Sequence, residues 1–152
     1  MAELANRILV VDDDLDLLSE VTRYLRRRGQ LVMEAMSFSE AQRVYEGNAD
    51  SIGLVIADVR MPDGNGIDLA RWVIGRSQGK CPCLLMTGHL DLAGLGADLE
   101  AAGVRILDKP FAMSTLYDLV RSTLARLPEE CWWQWLPFIG PKKSETFNGG
   151  GA

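Results

Sequence analysis

Short apolar runs alternate with longer amphipathic stretches along the first 127 residues of the chain. The apolar runs have the length and content of buried strands, the second being the weakest, and they lie at residues 7–11, 31–35, 53–57, 83–86 and 104–107. In the stretches that follow them, apolar residues recur at the spacing of one helix face. Five strands alternating with five helical stretches predict an α/β fold, a doubly wound five-stranded parallel sheet with helices on both faces.

Capping residues indicate where the first three helices begin. Asp14 follows the first strand and predicts the N-cap of the first helix. Ser37 and Glu40 have the spacing of a capping box, in which both side chains accept backbone N–H groups at the start of the second helix. For the third helix, either Asn65 or Asp63 can serve as the cap.

The fourth helical stretch, residues 91–102, is predicted to be short, irregular or mobile. It contains Gly94 and Gly96, and a glycine in a helix interior costs about 1 kcal/mol relative to alanine. Gly103 marks its end.

Composition and charge narrow the classes of function. The chain has 152 residues, 47% of them hydrophobic, which suits one domain with a real core. A net charge of −5 argues against direct nucleic-acid binding. No apolar run reaches the roughly 18 residues that span a bilayer, and residues 1–7 lack a signal-peptide pattern. Three cysteines, an odd number, do not suggest a disulfide framework, so we expect a cytoplasmic protein without a membrane partner.

Polar side chains stand where four of the five strands end: Asp12 and Asp13, Asp58, Thr87 and Lys109. In a parallel sheet these ends share one edge, which is where ligands bind. Carboxylates gathered there need a cation, and oxygen ligands with room for water suit Mg²⁺. Lys109 and Thr87 supply a positive charge and a hydroxyl for phosphoryl oxygens. Asp58 is therefore predicted to be a nucleophile that takes a phosphoryl group and holds it as an acyl phosphate.

Four short motifs carry a resemblance to a known family. In chain order they are Ile8-Leu9-Val10-Val11-Asp12-Asp13-Asp14, Asp58-Val59-Arg60-Met61-Pro62, Met86-Thr87-Gly88 and Lys109-Pro110-Phe111. By these motifs, residues 7–127 resemble the receiver domain of two-component response regulators. The second motif and the His89 that follows the third are similar to receivers of transcriptional activators. The resemblance implies a flavodoxin-like fold with strand order 2-1-3-4-5.

The resemblance also implies what the acids at the sheet edge do. Asp58 would accept a phosphoryl group from a sensor histidine kinase or from a histidine phosphotransfer protein. Asp12 and Asp13 are similar to the acidic pair that binds Mg²⁺ in the family. Asp58 and the backbone carbonyl of Arg60 would complete the metal ligands that the protein supplies.

Further residues would position the phosphoryl group or regulate its lifetime. By the resemblance, Thr87 would turn toward the phosphoryl group and Lys109 would bind it. The peptide bond between Lys109 and Pro110 is usually cis in the family. His89 and Arg60 occupy positions that tune how fast the phosphoryl group hydrolyses.

One position departs from the family pattern. Three residues before the lysine, the family usually carries Tyr, Phe or His, whereas this chain has Ile106. Gating by an aromatic side chain coupled to Thr87 cannot work here in its usual form. We hypothesise that activation relies instead on a change of order in residues 91–102.

The end of the chain is the part least similar to the family. Residues 1–127 are predicted to form the receiver domain, and residues 128–152 a tryptophan-rich short helix followed by a disordered polar tail. About 25 residues are too few for an ordinary DNA-binding or ATPase module, so we expect no output domain and either a single-domain regulator or a receiver cut from a longer chain. Trp132, Trp133 and Trp135 favour either packing against the receiver or an interface in a homodimer or with an effector protein.

A second interpretation of the same acids is a small Mg²⁺-dependent phosphatase of the haloacid dehalogenase type. That class places its aspartate nucleophile after the first strand, in an Asp-x-Asp-x-Thr/Val arrangement. Here residues 12–16 are Asp-Asp-Asp-Leu-Asp, which fails at the last position, and no acidic pair follows Lys109.

Overall fold

A five-stranded parallel sheet lies at the centre of the computed structural model, which describes residues 6–88 and 96–126. The strands found in these residues are β1 (Arg7–Val11), β2 (Leu31–Ala35), β3 (Ile52–Asp58), β4 (Arg60–Met61), β5 (Gly64–Asn65), β6 (Cys83–Thr87) and β7 (Val104–Asp108). The helices are α1 (Leu15–Arg27), α2 (Phe38–Gly47), α3 (Gly66–Ser77), α4 (Gly96–Ala101) and α5 (Met113–Arg126). Each of the five predicted strands is present to within one residue at either end.

The topology of the sheet is the predicted one. Its strands lie in the order β2-β1-β3-β6-β7, and every neighbouring pair is parallel. The two-residue strands β4 and β5 form a separate antiparallel ribbon in the turn after β3. Counting only the strands of the main sheet, the order is 2-1-3-4-5, so this prediction is confirmed.

Alternate residues of β1, an interior strand of the sheet, face two hydrophobic layers. Leu9 and Val11 belong to a cluster that includes Leu69 of α3. Ile8 and Val10 belong to a second cluster, formed with side chains of α1 and α5. These four side chains are completely buried. The run is therefore apolar throughout rather than alternating, because helices cover both faces of the sheet.

The structure confirms the caps predicted for α1 and α2. Asp14 Oδ1 accepts hydrogen bonds from two backbone N–H groups in the first turn of α1, at 3.1 and 3.3 Å. Ser37 Oγ accepts from the N–H of Glu40 at 3.1 Å. The return bond of the capping box reaches one residue further back than expected, since Glu40 Oε1 accepts from the N–H of Met36 at 2.8 Å.

The structure shows which of the two candidates, Asn65 or Asp63, caps α3. Asn65 Oδ1 accepts from the N–H of Asp68 at 2.8 Å, so Asn65 is the N-cap. Asp63 lies instead at the start of α2, where its carboxylate accepts from the N–H groups of Phe38 and Ser39 at 2.8 and 3.0 Å. The alternative that Asp63 caps α3 is therefore wrong.

Several predictions fall wholly or partly on residues that are not described. Helix α4 covers residues 96–101 of the predicted helical stretch, and its Leu99 is buried in the core. Residues 91–95, His89 and the predicted tryptophan-rich tail at 128–152 lie outside the described residues. Among the residues that are described, no helix has the length and apolar character needed to cross a membrane.

Candidate functional site

The sheet register brings the ends of four strands to one edge. Strands β1 and β3 pair residue by residue up to the positions just before Asp12 and Asp58, so these two carboxylates are neighbours. Thr87, the last residue of β6, pairs with the residue that precedes Lys109. Four residues that are distant in sequence therefore meet at the carboxyl edge of the sheet, as predicted.

Three carboxylates form a cluster at this edge. One oxygen from each of Asp12, Asp13 and Asp58 lies within 4.8 Å of the other two. Asp12 is completely buried, Asp58 is half-buried and Asp13 is exposed. Asp12 Oδ1 accepts from the N–H of Asp14 at 2.9 Å, whereas the buried Oδ2 has no hydrogen-bond partner among the described residues. A buried carboxylate oxygen without a partner is costly, which points to a cation as its ligand.

The electrostatics of Asp12 agree with a cation site. Burial raises the pKa of Asp12 from 3.8 to about 6, the N–H of Asp14 opposes this rise, and the negative charge of Asp58 adds to it. A bound cation would favour the ionised form again. The three carboxylates therefore fit a hard divalent cation, which prefers oxygen ligands. In the described ranges no second group of three acidic, histidine or cysteine ligands lies close enough to hold a metal.

Lys109 forms an ion pair with one acid of this cluster. Its Nζ lies 3.0 Å from Asp58 Oδ1, and the two side chains are 32% and 13% exposed. The backbone N–H of Lys109 donates to the carbonyl of Thr87 at 2.8 Å, which ties the residue to the end of β6. The peptide bond from Lys109 to Pro110 is cis, as the resemblance implied. The ammonium group thus already faces the carboxylate at which a phosphoryl group is expected.

The hydroxyl of Thr87 is buried at the same edge. Thr87 is 2% exposed, and its Oγ1 donates to the carbonyl of Gly88 at 2.7 Å. A hydroxyl has a single proton to donate. Thr87 must therefore release this carbonyl before it can donate to a group on Asp58.

The turn that follows Asp58 packs closely against its neighbours. The N–H of Gly66 donates to the carbonyl of Val59 at 2.8 Å, and a Cβ at Gly66 would overlap the carbonyl oxygen of Asp58. At Gly64 a Cβ would lie 2.7 Å from the ring of Phe38. A side chain at Gly64 would therefore displace the Phe38 ring, and one at Gly66 would displace the backbone of Asp58.

The carboxylate of Asp63 links this turn to α2, a contact that sequence reasoning missed. Asp63 is exposed, yet its carboxylate accepts from Ser39 Oγ at 3.0 Å in addition to the two backbone N–H groups. The N–H groups of Ser39 and then Phe38 lower the pKa of Asp63. Its partners lie 24 and 25 residues earlier in the chain, so no local pattern marks the contact.

Comparison with known protein families identifies the family to which a chain with this site belongs. A family model described as the response regulator receiver domain matches residues 8–121. The chain belongs to the response regulator receiver family. It is a signalling domain of the two-component type, with the fold that the resemblance implied. The comparisons give no support to the phosphatase interpretation.

Two curated relatives and one solved structure illustrate the likeness. The response regulator protein TodT of Pseudomonas putida is 28% identical over 130 residues, which are 86% of this chain and 56% of TodT. The C4-dicarboxylate transport transcriptional regulatory protein DctD of Rhizobium meliloti is 31% identical over 118 residues, 77% of this chain and 25% of DctD. A response regulator receiver domain protein from Clostridium thermocellum superposes with a TM-score of 0.74 at 28% identity, covering 80% of this chain and 95% of that one.

The chain is thus much shorter than the curated relatives it matches. It spans about half the length of TodT and a quarter of DctD. The name of DctD describes that relative as a transcriptional regulatory protein. The activity and partners of the whole relatives are not carried over with the shared domain.

The structure describes two of the three residues that are predicted to regulate the receiver. Arg60 is exposed in the ribbon that follows Asp58. Ile106 is half-buried and packs against the hydrophobic cluster that includes Leu69. His89 lies outside the described residues. Ile106 is therefore an aliphatic, partly buried side chain at the position where the family usually carries Tyr, Phe or His.

Proposed function

We propose that Asp58 of this receiver accepts a phosphoryl group from the phosphohistidine of a sensor kinase or of a histidine phosphotransfer protein. The observation that carries the proposal is the 3.0 Å contact of Lys109 Nζ with Asp58 Oδ1, beside a cluster of three carboxylates. The Asp58 side chain is 13% exposed, so a donor can still reach it while the neighbouring ammonium neutralises its charge.

The proposed transfer forms one bond and breaks one. A carboxylate oxygen of Asp58 attacks the phosphorus and forms an O–P bond. The P–N bond of the phosphohistidine breaks, its electron pair stays on the ring nitrogen, and a protonated ring leaves as neutral imidazole. The product is an acyl phosphate on Asp58. Such a transfer depends mainly on positioning and on neutralised charge.

Mg²⁺ is the proposed cofactor of this step. Asp12, Asp13 and Asp58 would hold it, together with the backbone carbonyl of Arg60. The unpartnered Oδ2 of Asp12 and the close spacing of the three carboxylates support this assignment. When bound, Mg²⁺ neutralises charge on the phosphoryl oxygens.

Lys109 and Thr87 would hold the transferred group. The ammonium of Lys109 exchanges a carboxylate oxygen for a phosphoryl oxygen, and Thr87 releases the carbonyl of Gly88 and donates to the phosphoryl group. Arg60 and His89 would influence how fast water removes that group. On this proposal the receiver catalyses only its own phosphorylation and its slow dephosphorylation, and turns over no other substrate.

The output of the phosphorylated receiver would be a contact with another protein, either an effector or a second copy of the chain. The transcriptional role in the name of DctD supports an effector that controls transcription. The receiver domain would extend to the end of α5. Because Ile106 offers no aromatic ring, the change would reach the surface through residues 91–102, of which α4 is the described part.

Intact-mass spectrometry tests the proposal. The full chain, incubated with Mg²⁺ and acetyl phosphate, should gain one phosphoryl group, and EDTA should prevent the gain. Asp58→Asn should remove it, whereas the matched control Asp16→Asn, which changes an exposed acid in the first turn of α1, should leave it intact. An adduct that persists in Asp58→Asn would overturn the assignment. Steady turnover of many phosphomonoesters would favour the phosphatase.

A further inference from the structure

The antiparallel ribbon formed by β4 and β5 joins the proposed phosphoacceptor to helix α2. It begins two residues after Asp58 and ends where α3 begins. Its outer pair is Arg60 with Asn65, and Asp63 lies in the turn at its tip. We refer to residues 60–65 as the β4–β5 ribbon.

The base of the β4–β5 ribbon is held by backbone and capping hydrogen bonds. The N–H of Gly66 donates to the carbonyl of Val59 at 2.8 Å, which closes the ribbon at its base. Asn65 Oδ1 accepts from the N–H of Asp68 at 2.8 Å and so ties the end of the ribbon to α3. The carbonyl of Arg60, a proposed ligand of Mg²⁺, therefore belongs to a backbone segment that is fixed at this end.

The tip of the β4–β5 ribbon is held by α2. Asp63 Oδ1 accepts from the N–H of Phe38 at 2.8 Å. Asp63 Oδ2 accepts from both the N–H and the Oγ of Ser39 at 3.0 Å. Beside it, Gly64 lies so close to the Phe38 ring that a Cβ would stand 2.7 Å from the ring. The ribbon is therefore anchored at both ends, to α3 at its base and to α2 at its tip.

Helix α2 has a cap of its own besides the distant carboxylate of Asp63. Ser37 Oγ accepts from the N–H of Glu40 at 3.1 Å, and Glu40 Oε1 accepts from the N–H of Met36 at 2.8 Å. The bonds to Asp63 lie at exposed positions, where water can satisfy the N–H groups at a helix end. What Asp63 adds to this helix end is a fixed position for the ribbon tip.

We propose that Asp63 is a positioning residue for the phosphoacceptor site, which it serves by anchoring the β4–β5 ribbon to α2. The inference rests on the proposed function, in which Asp58 and the carbonyl of Arg60 are ligands of Mg²⁺. A ligand group that is held in place before binding loses less conformational entropy when the metal binds. A ribbon anchored at its tip therefore binds Mg²⁺ more tightly than a ribbon whose tip is free.

The effect must also run in the opposite direction. The coupling free energy between two binding events is the same for both, so bound Mg²⁺ must stabilise the bonds of Asp63 to α2 by the factor by which those bonds tighten Mg²⁺ binding. The first turn of α2 therefore responds to the occupancy of the metal site.

The Mg²⁺ affinity of the full chain tests the role of Asp63. NMR titrations with magnesium chloride, at constant ionic strength, follow the backbone amides next to Asp12 and Asp58. Asp63→Ala should weaken Mg²⁺ binding about fivefold or more, the lower end of typical coupling. Asp63→Asn also lacks the charge but keeps one acceptor oxygen, so it should recover part of the affinity. Wild-type affinity in Asp63→Ala, or an equal loss in Asp63→Asn, would overturn the proposal.

Two controls separate anchoring from net charge and from fraying of α2. Asp50→Ala removes an exposed acid before β3. Ser37→Ala removes the local cap of α2 and keeps the carboxylate of Asp63. Both variants should bind Mg²⁺ like the wild type. A loss of affinity in either control as large as that in Asp63→Ala would overturn the proposal.

Hydrogen exchange at the amides of Phe38 and Ser39 measures the opposite direction of the coupling. In the wild type, Mg²⁺ should slow this exchange by the factor by which Asp63→Ala weakens Mg²⁺ binding, and in Asp63→Ala it should leave the exchange unchanged. Exchange that does not depend on Mg²⁺ in the wild type would overturn the coupling.

The same samples distinguish failure of this inference from failure of the proposed function. A wild-type chain that neither binds Mg²⁺ nor gains a phosphoryl group from acetyl phosphate would overturn both. A wild-type chain that does both, with Asp63→Ala equal to it in Mg²⁺ affinity, would overturn the role of Asp63 alone.

Discussion

Lys109 Nζ lies 3.0 Å from Asp58 Oδ1, so the ammonium group already neutralises the proposed phosphoacceptor before any phosphoryl group arrives. Three carboxylates face this one ammonium at the sheet edge. When all of them are ionised, two negative charges remain uncompensated, which matches the charge of a divalent cation. The ion pair of Lys109 with Asp58 compensates one negative charge at this edge. A divalent cation beside the unpartnered oxygen of Asp12 would compensate the other two.

Removing the charge of Lys109 should slow phosphorylation. Lys109→Met keeps the length of the side chain but no longer neutralises charge at Asp58, so phosphorylation by acetyl phosphate should slow by about ten- to a hundredfold. Lys109→Arg keeps the charge and should recover part of the rate. Lys80→Met, a change to a lysine after α3, is the control. A wild-type rate in Lys109→Met, followed by intact mass over time, would contradict the proposed role.

The buried Asp12 should make the metal-free receiver less stable as pH rises. Its pKa in the folded state, about 6, lies above the ordinary value of 3.8, so the folded state binds this proton more tightly than the unfolded state. The contribution is fully present below the unfolded pKa and is lost as pH rises through about 6. Asp12→Asn, which keeps an oxygen for the N–H of Asp14, should therefore raise the free energy of unfolding at pH 8 by about 1–3 kcal/mol.

Urea unfolding in EDTA at pH 4 and pH 8 measures this effect, and the gain of Asp12→Asn should shrink at pH 4. Added Mg²⁺ should stabilise the wild type and have little effect on Asp12→Asn, because binding to the folded state alone raises stability. If Asp12→Asn is the less stable protein at pH 8 without metal, the carboxylate is not under electrostatic strain.

The backbone next to Asp58 should tolerate no side chain at Gly66. In Gly66→Ala the new Cβ would overlap the Asp58 carbonyl oxygen, and overpacking of this kind costs about 1–3 kcal/mol. Gly75→Ala is a matched control in the same helix, since no atom lies within 4 Å of its Cβ. It should stabilise α3 by up to about 1 kcal/mol. The melting temperatures of both variants test this prediction. Equal melting temperatures would show that the turn accommodates a Cβ at Gly66 without loss of stability.

Asp63 should protect the first backbone N–H groups of α2 from hydrogen exchange. In Asp63→Ala the N–H groups of Phe38 and Ser39 lose their acceptor, and their amide hydrogens should exchange faster. The pKa of Asp63 is lowered by these bonds, so the protection that it provides should be lost as pH falls through that pKa. Asp50→Ala, at an exposed acid before β3, is the control. Unchanged exchange in Asp63→Ala would show that α2 does not depend on this contact.

Features that are encoded locally were predictable from the sequence. Asp58 directly follows a solid apolar run, and Ser37 and Glu40 stand three residues apart, so a short window is enough to recognise a strand end or a helix cap. The order of the strands and the meeting of Asp58 with Lys109, 51 residues apart, needed the fold rules and the family resemblance.

Features that depend on packing were not predictable. The sequence marks Asp12 and Thr22 as polar, but it does not show that each buries an oxygen without a hydrogen-bond partner. The bond from Asp63 to the start of α2 depends on how the turn after β3 lies against that helix. Only the assembled tertiary structure determines such surroundings, because the partners come from distant parts of the chain.

Locating the phosphoryl group on one residue tests the central claim most directly. The full chain is phosphorylated with acetyl phosphate and Mg²⁺, the acyl phosphate is reduced with borohydride to an alcohol, and peptides are sequenced by tandem mass spectrometry. We expect homoserine in place of Asp58 and an unmodified aspartate at Asp12, Asp13 and Asp63. Homoserine at any other position, or no reduced product from the wild-type chain, would contradict the identification of Asp58 as the phosphoacceptor.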